Sequence, residues 1–293
     1  MKFLTFKQDG YETLGVASED GKTVYSLPDI GISYFNMTDL VERLTVEDYQ
    51  TLTTFLKNPK NGLPYEEIEK CSPIPCPAQD IICLGINYMQ HAEEAAKYEN
   101  KTFGGERPYP IYFSKRVNEA VPDGGMIQSH SDIEARLDYE CELAVIIGKE
   151  TSKVSREEAY DHVFGYTVLN DVSARVLQTR HKQWYFGKSL DGFTPMGPWI
   201  VTTDEIPGKP SLKIQSYVNG ELRQDSTTDL LIFDVAYVIS ELSQGMTLLP
   251  GTIISMGTPA GVGMGFDPPK FLKSGDTVDC VIEGIGTLHN TVE

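Results

Sequence analysis

The segment Asp138-Tyr139-Glu140-Cys141-Glu142-Leu143-Ala144-Val145-Ile146-Ile147 places two carboxylates two residues apart and then runs into an unbroken apolar stretch. Residues two apart share one face of a β-strand, so Glu140 and Glu142 project side by side. At the edge of a core, two such carboxylates repel each other and lose hydration. A divalent cation removes both problems, and oxygen-only ligands suit Mg²⁺, Mn²⁺ or Ca²⁺ better than Zn²⁺. The competing reading is an edge strand whose two acids both face water. A third carboxylate, Asp171, follows the strand-like run Phe164–Leu169 and Asn170. It could complete a three-carboxylate site that leaves positions for water and substrate. Before Val172-Ser173-Ala174-Arg175 it could equally cap a helix.

Three further segments have chemical potential. In Gly85-Ile86-Asn87-Tyr88-Met89-Gln90-His91-Ala92-Glu93-Glu94 the Ala, Glu and Met content favours helix, and Asn87 can cap it. His91 and Glu94 then sit three apart on one face. A carboxylate beside an imidazole fixes its tautomer and raises its basicity, which makes a general-base pair. The alternative is an exposed pair on a surface helix. The polar stretch Tyr98–Arg107 that follows, with Gly104-Gly105, suits a mobile lid or a plain loop. Gln183–Pro198, rich in glycine, proline and aromatics, reads as an irregular loop in which Lys188 could meet an anionic group or snorkel to solvent. Gly257-Thr258-Pro259-Ala260-Gly261-Val262-Gly263-Met264-Gly265 lacks the pattern of a phosphate loop. Its backbone N–H groups and the Thr258 hydroxyl could bind a carboxylate or oxyanion, or it is a tight turn.

These groups need a scaffold. The strand candidates Ile81–Leu84, Ile111–Phe113, Glu140–Ile147, Phe164–Leu169, Trp199–Thr202, Leu212–Val218, Thr252–Met256, Val278–Ile282 and Gly286–Val292 do not alternate regularly with helices. Helices are expected over Ser155–His162 and Ile232–Ser243. That pattern predicts an α+β, β-rich domain, antiparallel or mixed, over 78–293 and disfavours doubly wound or TIM-type sheets. Residues 1–72 read as a small α+β module. It has strand-like runs at Lys2–Phe6, Tyr11–Val16 and Thr23–Leu27, then helical spacing over Met37–Leu56, with Thr45 as a cap between two helices. Between the parts, Cys71-Ser72-Pro73-Ile74-Pro75-Cys76-Pro77 has proline at alternate positions, which favours a stiff extended connection.

Composition bounds the function. The chain has 293 residues, with 25 Lys plus Arg against 42 Asp plus Glu, a net charge of −17. It has no basic footprint for nucleic acid and none for an anionic membrane surface. No apolar run is long enough to span a membrane. The N-terminus lacks a signal-peptide pattern, and the five cysteines, an odd number with no CxxC, suit a reducing cytoplasm. There is no Gly-x-Ser-x-Gly elbow, and no cysteine has a neighbouring histidine, so neither a serine nor a thiol nucleophile is supported.

Taken in order, the motifs resemble the fumarylacetoacetate hydrolase family. The carrying segments are Gly85–Glu94, Tyr139–Leu143, Asn170-Asp171-Val172-Ser173-Ala174-Arg175, Gly187-Lys188-Ser189 with Asp191-Gly192, and Gly257–Gly263. Val176 stands where members often have an acid, and Arg116 follows Lys115 where proline is frequent. The resemblance implies a mixed β-sandwich roll, a homodimer, and a small leading domain. It makes Glu140, Glu142 and Asp171 ligands of Mg²⁺ or Mn²⁺, with Ca²⁺ able to substitute. It makes His91 and Glu94 a catalytic pair on a lid and Lys188 a further catalytic group. Lys188, Thr258, Gln178 and Tyr88 become substrate contacts. The implied substrate is a small anionic 2-oxo acid. The first expectation is C–C hydrolysis of an acylpyruvate or fumarylpyruvate by a water that His91 activates. Oxaloacetate decarboxylation and dienoate isomerisation or hydration are alternatives, and a non-enzymatic metabolite-binding protein or a calcium module is a further one. The metal and Lys188 would reverse the repulsive net charge locally.

Overall fold

The computed structural model describes every residue except 99, 100, 103, 106 and 107. Strands β1 (Lys2–Gln8), β2 (Tyr11–Ala17) and β3 (Thr23–Ser26) form an antiparallel meander. Its first turn uses Asp9-Gly10, with Gly10 at φ +81°, a conformation that glycine adopts without steric cost. Helices α1 (Met37–Arg43) and α2 (Val46–Leu56) follow. Thr45 caps α2 by accepting from the Asp48 N–H at 3.0 Å, as its place in the sequence predicts.

The rest of the chain runs β4 (Ile81–Gly85), α3 (Met89–Tyr98), β5 (Ile111–Lys115), β6 (Cys141–Ile147), β7 (Val163–Asn170), α4 (Arg175–Arg180), α5 (Tyr185–Lys188) and β8 (Met196–Thr202). It ends with β9 (Lys213–Val218), β10 (Glu221–Thr227), α6 (Val235–Ser243), β11 (Ile253–Ser255), β12 (Thr277–Ile282) and β13 (Gly286–Val292). The larger sheet has the order β3-β2-β1-β8-β7-β6-β11-β4-β5, and a second sheet has β10-β9-β12-β13. Most ladders are antiparallel, and β11 pairs with β4 in parallel. The chain is thus α+β and sheet-rich. The leading module shares the larger sheet, because β1 pairs with β8, Lys2 opposite Val201.

Strand β6 is buried along its whole length. Leu143, Val145 and Ile147 face a core shared with Val278 and Ile282 of β12 and Ile239 of α6. Ala144 and Ile146 face a second core with Phe3, Leu40 and Leu52. By strand alternation Glu142 belongs to this second face, at its end.

Three expectations change. Ser155–His162 forms only a single turn, Ala159–His162. Ser155 and Glu158 do exchange N–H bonds, at 3.1 and 3.3 Å, but β7 begins at Val163 and leaves no length for a helix to propagate. Helix α6 starts at Val235 rather than Ile232, because Asp234 caps it through the Tyr237 N–H at 2.8 Å. Within the presumed loop Gln183–Pro198, residues Tyr185–Lys188 are helical.

Candidate active site

The ladder between β6 and β7 places Cys141 opposite Asn170 and Glu142 opposite Leu169. Glu140 continues the pairing, since its carbonyl accepts the Asp171 N–H at 2.9 Å. This register brings Glu140, Glu142 and Asp171 together: ligand oxygens from the three lie within 4.8 Å of one another, and all three residues are buried. Neither bland reading survives. Glu140 and Glu142 do not face water, and Asp171 caps no helix. Its two oxygens instead accept from Lys115 Nζ at 2.7 Å and Lys188 Nζ at 2.6 Å.

Lys188 sits at the end of α5, 2 % exposed, and its Nζ also donates to Glu140 Oε2 at 2.8 Å. It does not snorkel. Burial alone would lower its pKa, but Asp171 and Glu140 raise it above the ordinary lysine value. Lys188 is therefore a fixed cation and not a base. Arg175 of α4 donates to Asp138 Oδ2 through Nε at 2.9 Å and pairs with Glu140 Oε1 through Nη1 at 2.7 Å. Nη1 also reaches Gln178 Oε1 at 3.0 Å, which orients that amide. Burial would raise the Glu140 carboxyl, but Lys188 and Arg175 hold it below the usual carboxylate range. Glu142 goes the other way: burial, Asp171 and Glu140 push it well above.

This contrast tests the site for a metal. Four buried carboxylates, Asp138, Glu140, Glu142 and Asp171, face three buried cations, Lys115, Arg175 and Lys188. The excess negative charge falls on Glu142, whose carboxyl burial, Asp171 and Glu140 push well above the usual carboxylate range. A hard divalent cation among three oxygen donors would relieve that repulsion, so the residues fit Mg²⁺ or Mn²⁺.

Helix α3 forms another wall. His91 is buried, and its Nδ1 lies 3.3 Å from Glu94 Oε2, so the pair is not on the protein surface. An ionised Glu94 would keep the ring proton on Nδ1 and leave Nε2 as a base. Asn87 caps nothing. Its side chain accepts from the Phe233 N–H at 2.8 Å and donates to the carbonyls of Phe233 and Met256 at 3.0 and 2.8 Å, tying α3's start to two loops.

The glycine-rich loop does bind carboxylates, and they are the protein's own. Gly257 N–H donates to Glu142 Oε2 at 2.9 Å, Gly261 N–H to Glu94 Oε1 at 2.8 Å, and Gly263 and Met264 N–H to Asp138 at 2.6 and 3.0 Å. The Thr258 hydroxyl donates to the Cys141 carbonyl at 3.0 Å and accepts from Gln224 at 2.7 Å, so its proton is already committed.

One cavity of about 50 Å³ is lined by His91, Glu140, Arg175, Gln178, Lys188 and Thr258, among others. Glu140 belongs to this lining, and Glu142 and Asp171 do not. Apolar walls come from Ile86, Ala95, Phe113, Trp184 and Met264. Tyr88, expected as a substrate contact, does not line it; it is 2 % exposed and its hydroxyl has no partner among the described residues. The expected lid, 98–107, includes residues 99, 100, 103, 106 and 107, which lie outside the described residues. Sequence reasoning assigned no role to Lys115, Asp138 or Arg175. Each carried a signal: a lysine closing an apolar strand, an acid beginning the Glu140 segment, and an arginine four residues after Asp171.

The family profile described as Fumarylacetoacetate (FAA) hydrolase C-terminal matches residues 80–293. The oxaloacetate tautomerase YisK of Bacillus subtilis is 48% identical over 229 residues, 77% of this chain and 73% of the relative. Across 100% of this chain and 99% of the other, the structure is similar to a fumarylacetoacetate hydrolase from Exiguobacterium antarcticum, with TM-score 0.82 and 36% identity. Over the same shares it is similar to 5-carboxymethyl-2-hydroxymuconate delta-isomerase from Mycobacterium smegmatis, with TM-score 0.75 and 29% identity. Among the described residues, no helix is long and apolar enough to cross a membrane.

Proposed function

Because the chain belongs to the fumarylacetoacetate hydrolase family, we propose that it is a divalent-metal-dependent enzyme that moves a proton beside the carbonyl of a small 2-oxo acid, interconverting the enol and keto forms of oxaloacetate. The carrying observation is that buried His91, with the half-buried Glu94 beside it, and Glu140 of the carboxylate triad line the same small cavity. Mg²⁺ or Mn²⁺ on Glu140, Glu142 and Asp171 would supply Lewis-acid polarisation of the substrate's carbonyl oxygen. Lys188, locked in its charged form, stabilises the negative charge that develops on that oxygen. In the enol-to-keto direction His91 Nε2 takes the proton that the enol oxygen gives up and returns it to the adjacent carbon. In reverse, His91 Nε2 removes it. Glu94 holds the imidazole in the tautomer that can do both. The apolar walls keep bulk water away from the carbanionic carbon.

Two considerations favour this over the other reactions the motifs allow. Decarboxylation of oxaloacetate needs no base, which would leave the His91–Glu94 pair idle. The relative YisK, 48% identical over 77% of this chain, carries the name of an oxaloacetate tautomerase and not of a hydrolase. The test follows the ultraviolet absorbance of enol-oxaloacetate with Mg²⁺ or Mn²⁺, with and without the protein, while pyruvate and the acetate released from acetylpyruvate are measured in parallel. Metal-dependent acceleration of enol decay without pyruvate is expected. Acetate release with no effect on the enol would transfer the assignment to hydrolysis, and inertness towards both acids would refute metal-dependent catalysis on 2-oxo acids.

A further inference from the structure

Glu94 orients His91 only if something orients Glu94. Its Oε1 accepts the Gly261 N–H at 2.8 Å. It also sits against Gly265, where a Cβ would lie 2.2 Å from that oxygen, so the glycine leaves a slot for the carboxylate. Gly261 itself is in the left-handed region at φ +102°, and a Cβ there would stand 2.1 Å from the Arg223 carbonyl. A glycine in that conformation has more backbone freedom than any other residue. Its direction must be set from outside.

One group does so. The Tyr139 hydroxyl donates to the Gly261 carbonyl at 2.8 Å. This carbonyl and the N–H that holds Glu94 flank the same Cα. Tyr139 is fully buried, between Asp138 and Glu140 in the segment that leads into β6. Its ring packs in the main core, which a phenylalanine would do equally. The hydroxyl is the part without a packing role.

We propose that Tyr139 is a positioning residue for the catalytic pair, acting through Gly261 to fix Glu94 and so the tautomer of His91. The proposal rests on the reading of His91–Glu94 as the proton-moving pair, but its test needs no turnover. In Mg²⁺-loaded protein, nitrogen NMR of the His91 ring, assigned with His91→Gln, should show the Nδ1–H tautomer. In Tyr139→Phe the signal should move towards a mixture with Nε2–H. If oxaloacetate is turned over, kcat should fall about fivefold, the worth of one ordinary hydrogen bond, with KM unchanged. In a Glu94→Gln background, Tyr139→Phe should add nothing further, since both changes act through one contact. His91 signals superimposable on wild type, or fully additive effects, would overturn the proposal whether or not the enzyme acts on oxaloacetate. Should Tyr139→Phe fail to fold, the wild-type Gly261 amide proton carries the test. Glu94→Gln must shift it upfield, and an unmoved signal removes the link.

Discussion

The two sides of the cavity are held in different ways. On the sheet side, Asp171, Glu140, Lys188 and Arg175 each have at least two charged or backbone partners at 2.6–2.9 Å, fixed by the β6–β7 register. On the helix side, among the described residues, His91 has one hydrogen-bonding partner, at 3.3 Å, and Glu94 has one backbone N–H, at 2.8 Å from a glycine loop. The sheet fixes charge where a cation and an anionic acid must be bound. The helix and loop place the group that has to gain and lose a proton, and they hold it lightly. Binding and rate should therefore be separable by mutation, the sheet governing the first and the helix the second.

The largest effect is expected on the sheet side. Glu142→Ala should lose Mn²⁺ binding and activity together, because it removes one of the three carboxylates that come together among the described residues. Calorimetry and turnover measured on one preparation check this, and retained metal affinity would end the division. On the helix side, His91→Gln should lower kcat by roughly 10²–10⁴-fold, the usual worth of a positioned acid–base group. Its Mn²⁺ affinity should match wild type. A parallel fall in both would show that the two sides are one unit.

How much of this was legible depended on range. Period-two spacing put Glu140 and Glu142 on one face, and Thr45 declared its helix start, because both are local. The N-terminal module's union with the larger sheet through β1 and β8 was not legible, since nothing near Lys2 specifies Val201 as its partner. Strand β10 went unanticipated because Glu221–Thr227 is almost wholly polar, although its Asn219-Gly220 turn, with φ +51° and +77°, is an ordinary hairpin signal. In the site, the residues that bind each other across the fold were the hardest. The glycine loop was readable as a carboxylate binder, but Glu94, Asp138 and Glu142 as its occupants were not. Their encounter is set by tertiary structure.

A subtler measurement concerns two neighbours on the sheet side. Burial, Asp171 and Glu140 raise Glu142 above its ordinary value of 4.5, whereas Lys188 and Arg175 outweigh burial and lower Glu140. The metal-free fold therefore holds a proton on Glu142 that the unfolded chain releases above that value. This stability contribution weakens as pH rises from there through the folded pKa. The Glu140 contribution has the opposite sign, present at neutral pH and lost as acid carries the solution down through its folded pKa. Metal binding must displace the Glu142 proton, so affinity should rise with pH, by at most about tenfold per pH unit while that proton remains. Calorimetry of Mg²⁺ binding in buffers of different ionisation enthalpy should detect up to one proton released. Buffer-independent heats would mean that all three carboxylates are ionised before the metal arrives.

The smallest effect is expected beside the helix, at Tyr88. Among the described residues its hydroxyl is buried without a partner and lies off the cavity lining, so its removal is expected to affect neither binding nor the hold on α3. That hold comes from Asn87, through its three bonds to Phe233 and Met256. Tyr88→Phe removes an unsatisfied polar group and keeps the ring. Thermal unfolding should show a stability equal to wild type or higher by about 1 kcal/mol, and KM should stay within roughly twofold of wild type. Asn87→Ala, at the next position, strands several buried backbone groups and should cost about 2 kcal/mol or more while loosening the start of α3. If Tyr88→Phe instead raised KM tenfold, its hydroxyl would have to turn into the cavity when substrate binds. The helix side would then take part in binding, and the assignment of binding to the sheet alone would fail.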